Sequence, residues 1–246
     1  MLNFGEILHG QNRRCARTIR YSSYFVNRPE NDAEHMFYNS QYCLVIGLYL
    51  ERLKVEINWK KLLGGAILHD MEEAVTGDIN TRTKYGSKKI GEGLKELSKE
   101  LVGQMFGSLH GGKGEVNKYI EEQLTSLWSE AKNPYTIEGR VVKLADVMCV
   151  ISYVAEEIAT GNVYMKRLLV ETANRLEAMR ERQKLEMRLG DPADSTMDQV
   201  FSGLIAHVRR LVAEDGAGTL GQYLAELLFK SEEDSRARMV REAGAS

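Results

Sequence analysis

Cysteine and proline are scarce in this sequence, with only three of each among 246 residues. Cys15, Cys43 and Cys149 are widely spaced and form no CxxC pair. That pattern argues against a disulfide framework or a zinc knuckle, and for small buried thiols in a reducing cytosol. Pro29, Pro134 and Pro192 each fall at an expected boundary between helices. Long apolar runs are missing too, and no secretory signal opens the chain, so a cytoplasmic protein without a membrane partner is expected. Charge of one sign is not in excess: 33 Lys and Arg face 35 Asp and Glu, for a formal net charge of -2. Without a basic field, no nucleic-acid partner is expected.

What is present favours helix. Hydrophobic residues make up 43% and charged residues 28%, and the chain is rich in Leu, Glu, Lys, Arg, Ala and Met. No strand pattern, internal repeat or low-complexity block stands out, so the fold class is all-α. Helices are expected over about 1–20, from the Asn31–Glu34 start to Arg52, over Trp59–Val75, Lys88–Phe106, Glu115–Ala131 and around Asp146. Three more are expected over 162–189, 195–214 and 218–231. Residues 1–233 read as a single domain and 234–246 as a solvated tail. Asn31 and Glu34 have capping-box spacing. The helix after them carries Phe37, Cys43, Leu44, Ile46 and Leu50, which suggests burial on more than one side. Gly64-Gly65 suggests close approach by another helix. Ile90, Leu94, Leu97, Leu101 and Met105 suggest one apolar stripe.

Chemistry concentrates at Leu68-His69-Asp70-Met71-Glu72-Glu73. An imidazole and a carboxylate at neighbouring helical positions can share a divalent cation. Glu73, four residues after His69, is expected about one turn on along the same face. Gly77 is a plausible helix stop, with Asp78 just past it. His35 opens a long helix, where it suits either a ligand or a core residue. Asp146 is more telling, because it sits among Val142, Ala145, Cys149, Val150 and Tyr153. A buried aspartate is costly unless it is paired, hydrogen-bonded or bound to a metal. His35, His69, Asp70 and Asp146 come from three separate helices, and two imidazoles with two carboxylates suit one Mn, Co, Zn, Ni or Fe ion, with Mg also open. Arg13, Arg17 and Arg20 follow i, i+4, i+7 spacing, which makes either a solvated face or an anion clamp. Gly107–Gly114 nearly spells a nucleotide P-loop, but residue 114 is glycine where Ser or Thr must bind magnesium, and no strand precedes it.

The pattern His35…His69-Asp70…Asp146 resembles the HD-domain superfamily of metal-dependent phosphohydrolases. The resemblance is closer to the bacterial 5'-deoxynucleotidases, through Arg20, Glu30–His35, His69–Asp78, Lys84-Tyr85 and Lys143–Asp146, and covers about residues 10 to 160. It implies an HD-domain helical bundle with extra C-terminal helices, working as a homodimer on a deoxyribonucleoside 5'-monophosphate. It also implies that the four H/HD/D residues hold one divalent ion and that Arg20 binds the phosphate. Glu73 would serve in acid/base chemistry, Asp78 would lie at the sugar or the attacking water, and Tyr21 and Lys84 would face the substrate. The chain departs from the family at Tyr21, where tryptophan is common, and at Asn80 and Arg82, where prolines are expected.

Two rivals share this fold. A deoxynucleoside triphosphate hydrolase could use Arg17, Arg82, Lys84 and Lys88 on a longer phosphate chain. A catalytically silent nucleotide-binding regulatory module has no need of Glu73 and Asp78 beside the metal.

Overall fold

Asn31 and Glu34 start the first long helix with a capping box: Asn31 Oδ1 accepts from the Glu34 backbone N–H at 3.0 Å, and Glu34 Oε2 accepts from the Asn31 N–H at 3.3 Å. The computed structural model describes residues 10–80, 83–84, 86–108, 115–186 and 192–213. The His35 helix spans Asp32–Arg52, and Lys88–Ser108, Glu115–Glu130 and Ile137–Ala159 form the next long helices, close to their expected bounds. Lys166–Glu186 and Pro192–Ala213 follow, with a short 3₁₀ turn at Val163–Met165 before them. Among the described residues there is no strand, only one isolated antiparallel bridge between Ile19 and Asn31. None of these helices is long and apolar enough to cross a membrane. The expected helix 218–231, the tail 234–246, Arg82, Tyr85 and most of the Gly107–Gly114 loop lie outside the described residues.

The described residues form two compact units, one drawn from Met1–Leu48 and Glu56–Cys149, the other from Tyr49–Val55 and Val150–Ser246. In the second, the last two helices pack together over Leu169, Leu176, Met197 and Leu204, and Arg180 forks onto Asp198 at 2.7 and 2.9 Å. Every candidate site residue belongs to the first. Its core gathers Cys15, Met36, Met71, Val102, Phe106 and Trp128.

Four expectations need correction. The central helix does not run from Trp59 to Val75; it stops at Leu68, and Glu73–Thr76 forms a separate single turn. Between them the backbone tightens to i→i+3 bonds, Met71 N–H to Leu68 O (3.2 Å) and Glu73 N–H to Asp70 O (3.0 Å). Near the N-terminus the described helix is only the 3₁₀ segment Gln11–Arg17, so Arg20 leaves the face of Arg13 and Arg17 and is buried while they are exposed. The His35 helix buries one face, with Cys43, Ile46 and Leu50 inside and Phe37, Leu44 and Leu48 outside. In Lys88–Ser108 only Met105 of the expected stripe is buried, and the buried face is completed by Val102 and Phe106 outside it, whereas Ile90 and Leu97 are exposed.

Two glycines let these helices meet. A Cβ on Gly64 would sit 2.8 Å from the Leu127 side chain, so the Glu115–Glu130 helix lies directly on Trp59–Leu68, as the Gly64-Gly65 pair suggests. The Asp146 helix is capped by Thr136, whose Oγ1 accepts from the Gly139 N–H at 3.3 Å. Its Glu138 Oε1 also accepts from the Asn58 N–H at 2.8 Å, which ties it to the start of the Trp59–Leu68 helix. A Cβ on Gly139 would fall 2.1 Å from Asn133 O and 2.6 Å from Glu130 O, both backbone atoms. Gly139→Ala is therefore expected to destabilise by about 1–3 kcal/mol or more, lowering Tm by several degrees in a thermal melt. An unchanged Tm would mean that the 130–133 turn yields at no cost.

Candidate metal centre

A non-local clamp delivers Arg20 to the site. Its backbone N–H donates to Glu30 O at 2.9 Å, and Asp32 N–H donates to Thr18 O at 3.0 Å, closing the loop between them. Tyr21 then adopts φ +57°, a left-handed conformation that costs an L-residue on the order of 1–2 kcal/mol. Asp78 Oδ2 holds it there by accepting from the Tyr21 N–H at 3.0 Å. The Arg20 guanidinium lies 5.9 Å from the Tyr21 ring centroid.

The tight turn after Leu68 decides which side chains meet. With about three residues per turn, Asp70 and Glu73 fall on one line, not His69 and Glu73. Arg20 Nη1 accordingly donates to both, to Asp70 Oδ2 and to Glu73 Oε2 at 3.2 Å each, and to Asp32 Oδ1 at 3.0 Å. Arg20 Nε and Asp32 Oδ2 are buried and have no hydrogen-bond partner among the described residues. Lys84 Nζ approaches Glu73 Oε1 at 3.8 Å.

His35, His69, Asp70 and Asp146 each offer one ligand atom, all within 4.8 Å of one another, and all four side chains are buried. His35 Nε2 lies 3.2 Å from His69 Nε2, 3.5 Å from Asp70 Oδ2 and 3.4 Å from Asp146 Oδ1. His69 Nε2 lies 3.2 Å from Asp70 Oδ2. An ion about 2.0–2.2 Å from each ligand atom separates neighbouring ligands by about 3.0–3.5 Å, so the spacing suits one small divalent ion. The hydrogen bonding agrees. His69 Nδ1 lies 2.8 Å from Ala66 O, and that carbonyl can only accept, so Nδ1 carries a proton and Nε2 is the nitrogen that faces the cluster. Two imidazole nitrogens converging at that distance, with carboxylate oxygens beside them, ask for a cation. Asp146 Oδ2 accepts from Lys143, three residues back on the same helix.

Burial and charge act unevenly on these groups. Burial, then the Arg20 cation, lowers the His35 pKa to about 4. Burial works in the same direction on His69, but the Asp70 carboxylate outweighs it and raises that imidazole. Burial would raise Asp70, yet His69 and Arg20 hold it well below the usual carboxylate range. Glu73 goes well above that range, through burial and then the Asp70 charge. Burial also lifts Asp32 to about 7 against the pull of Arg20.

The four H/HD/D residues are thus brought together, with Arg20 and Glu73 against them, Asp78 joined through the Tyr21 backbone and Lys84 through Glu73. Sequence reasoning missed two acids. Asp32 is fully buried on Arg20; its position in a first helical turn gave it an ordinary explanation. Glu72 is buried on the far side of the turn and bonded to Trp128 and Lys132.

Comparison with known proteins gives a consistent result. A 5'-deoxynucleotidase from Erwinia tasmaniensis is 24% identical over 164 residues, covering 65% of this chain and 76% of that protein. A 5'-deoxynucleotidase from Yersinia pestis is 26% identical over 137 residues, covering 55% of this chain and 65% of its own, so the chain spans about two thirds of that relative. In fold, the chain is similar to an HD-domain phosphohydrolase from Listeria innocua, with TM-score 0.56 and 18% identity over 89% of this chain and 96% of that one. It is also similar to a conserved hypothetical protein from Pyrococcus furiosus, with TM-score 0.58 and 23% identity over 82% and 96%. The all-α architecture is therefore that of the HD-domain proteins. A family model described as 5'-deoxynucleotidase YfbR-like matches residues 12–189, the stretch that carries every member of the cluster, and the chain belongs to that family.

Proposed function

We propose that this protein is a metal-dependent 5'-deoxynucleotidase that hydrolyses deoxyribonucleoside 5'-monophosphates to deoxynucleoside and phosphate. The observation that carries the reading is the contact between a buried His₂Asp₂ donor set and a buried arginine, through the shared Asp70 Oδ2. His35, His69, Asp70 and Asp146 would hold one divalent transition ion. When bound, that ion supplies Lewis acidity at a phosphoryl oxygen and a lowered pKa for water. Arg20 offsets charge on the transferring phosphoryl group. Its Nε is a buried donor without an acceptor among the described residues, and such a group is stabilised by a substrate oxygen that meets it. Glu73 moves the proton that the departing 5'-oxygen needs, and Lys84 and Arg20 fix its two oxygens. Asp78, tied to the Tyr21 backbone, stands at the sugar with Tyr21 beside it. The same reading takes the enzyme as a cytoplasmic homodimer, as the family resemblance implies.

A site that excludes the ribose 2'-hydroxyl by crowding discriminates by about tenfold to two-hundredfold. The expected result is a kcat/KM for dAMP that exceeds the value for AMP by that range, with the gap narrowed in Asp78→Ala and 3'-monophosphates left intact. The assay is phosphate release over a nucleotide panel with Mn, Co, Mg or Zn added, with products identified on dATP as well. Equal values for dAMP and AMP would remove the deoxynucleotidase reading in favour of a general phosphohydrolase. Triphosphate released from dATP would favour the triphosphate hydrolase. No turnover on any nucleotide would favour the silent module.

A further inference from the structure

Behind the catalytic turn lies a second polar cluster that the reading above does not use. Glu72 lies between Asp70 and Glu73, but its side chain turns away from Arg20 into the core side of the unit. There Glu72 Oε2 accepts from the Trp128 indole N–H at 2.8 Å, and Oε1 accepts from Lys132 Nζ at 2.6 Å. Lys132 Nζ also lies 4.7 Å from the Trp128 ring centroid. The Glu72 side chain is 5% exposed, while that of Lys132 is 38% exposed. A carboxylate taken that far out of water is costly unless both oxygens are satisfied, and here both are.

The position of this anchor gives it a consequence for the site. The turn from His69 to Glu72 has no continuous helix to hold it. Its own bonds are the short-range ones, Met71 N–H to Leu68 O and Glu73 N–H to Asp70 O. Its side chains point two ways, with Asp70 and Glu73 on Arg20 and Glu72 on the Trp128 helix. The Trp128 helix is itself seated against the Trp59–Leu68 helix through Gly64. Glu72 is therefore a polar tie between the turn and the packed Trp128 and Trp59–Leu68 helices behind it.

We propose that Glu72, gripped by Trp128 and Lys132, is a positioning residue that sets the turn. It would thereby aim His69 and Asp70 at the ion and Glu73 at Arg20. The proposal rests on the metal-dependent reading of the site, although one of its tests does not depend on the substrate. Without the grip, the turn can shift by a fraction of an ångström to an ångström, enough to spoil ligand spacing and proton transfer while the fold survives.

The test uses two shape-preserving variants of the full chain. Lys132→Met removes the cation and keeps the stem; Trp128→Phe removes the indole N–H and keeps a ring. Each is expected to weaken Mn affinity, measured by titration of the chelator-stripped protein, by about 10–100-fold. Each should also lower kcat on dAMP by about 10–100-fold at saturating Mn, with KM changed little. Lys132→Arg should restore both values to near wild type. Wild-type Mn affinity and kcat in Lys132→Met, with only Tm lowered, would overturn the proposal and leave Glu72 a structural anchor. Lys132 is partly exposed, so that variant decides the matter even if Trp128→Phe fails to fold. If the wild-type protein does not turn over dAMP, the functional reading fails, while the Mn titrations still decide the clamp.

Discussion

Asp146→Asn and His69→Ala are each expected to lose divalent-ion binding and turnover together. Asp146 Oδ1 lies 3.4 Å from His35 Nε2, and His69 Nε2 lies 3.2 Å from both His35 Nε2 and Asp70 Oδ2, so each residue forms part of a closed quartet. Asparagine keeps the shape of Asp146 and an oxygen that can accept from Lys143, but it removes the negative charge that a divalent ion needs. Alanine at His69 removes a ligand nitrogen, Nε2, that the contact of Nδ1 with Ala66 O turns toward the cluster. A divalent ion supplies several kcal/mol of transition-state stabilisation, so turnover should fall by about a thousandfold or more. Metal content after dialysis, read against activity and a circular dichroism spectrum of each variant, provides the check. A folded variant with full metal stoichiometry and normal turnover would sink the assignment of the four ligands.

The quartet was legible because each member carries its own local signal. His69 and Asp70 form a dipeptide, Asp146 interrupts an apolar helix, and His35 follows a capping box that the structure reproduces atom for atom. The relation of Glu73 to them was not legible in detail. Its spacing from His69 was read with 3.6 residues per turn, whereas the backbone there closes i→i+3 bonds and pairs Glu73 with Asp70. The burial of Arg20 depends on the Ile19–Asn31 bridge, a contact across a loop that no periodicity encodes. Asp32 was hidden by an adequate local explanation, since acids are ordinary in a first helical turn. Glu72 looked like one more charge in a chain where 28% of residues are charged, and its partner Trp128 lies 56 residues away. Local chemistry was thus visible in the sequence, while the second layer that orients it required the tertiary contacts.

That second layer also determines what a substitution at Glu73 should do. Neither Glu73 oxygen belongs to the quartet; Oε2 meets Arg20 at 3.2 Å and Oε1 faces Lys84 at 3.8 Å. Removing its carboxylate should therefore leave the ion in place. Alanine would also loosen Arg20, which confuses proton transfer with phosphate binding. Glutamine separates the two, because its amide oxygen can still accept from Arg20 Nη1 while the group can no longer take up or release a proton. Glu73→Gln is expected to keep wild-type metal content and a KM close to wild type, and to lose about 10²–10⁴ in kcat, the usual contribution of one positioned acid or base. Metal analysis and steady-state kinetics on dAMP, made on one preparation, measure both. Loss of the ion would make Glu73 a ligand, and a kcat reduced by less than about tenfold would transfer the proton-handling role to another group in the pocket.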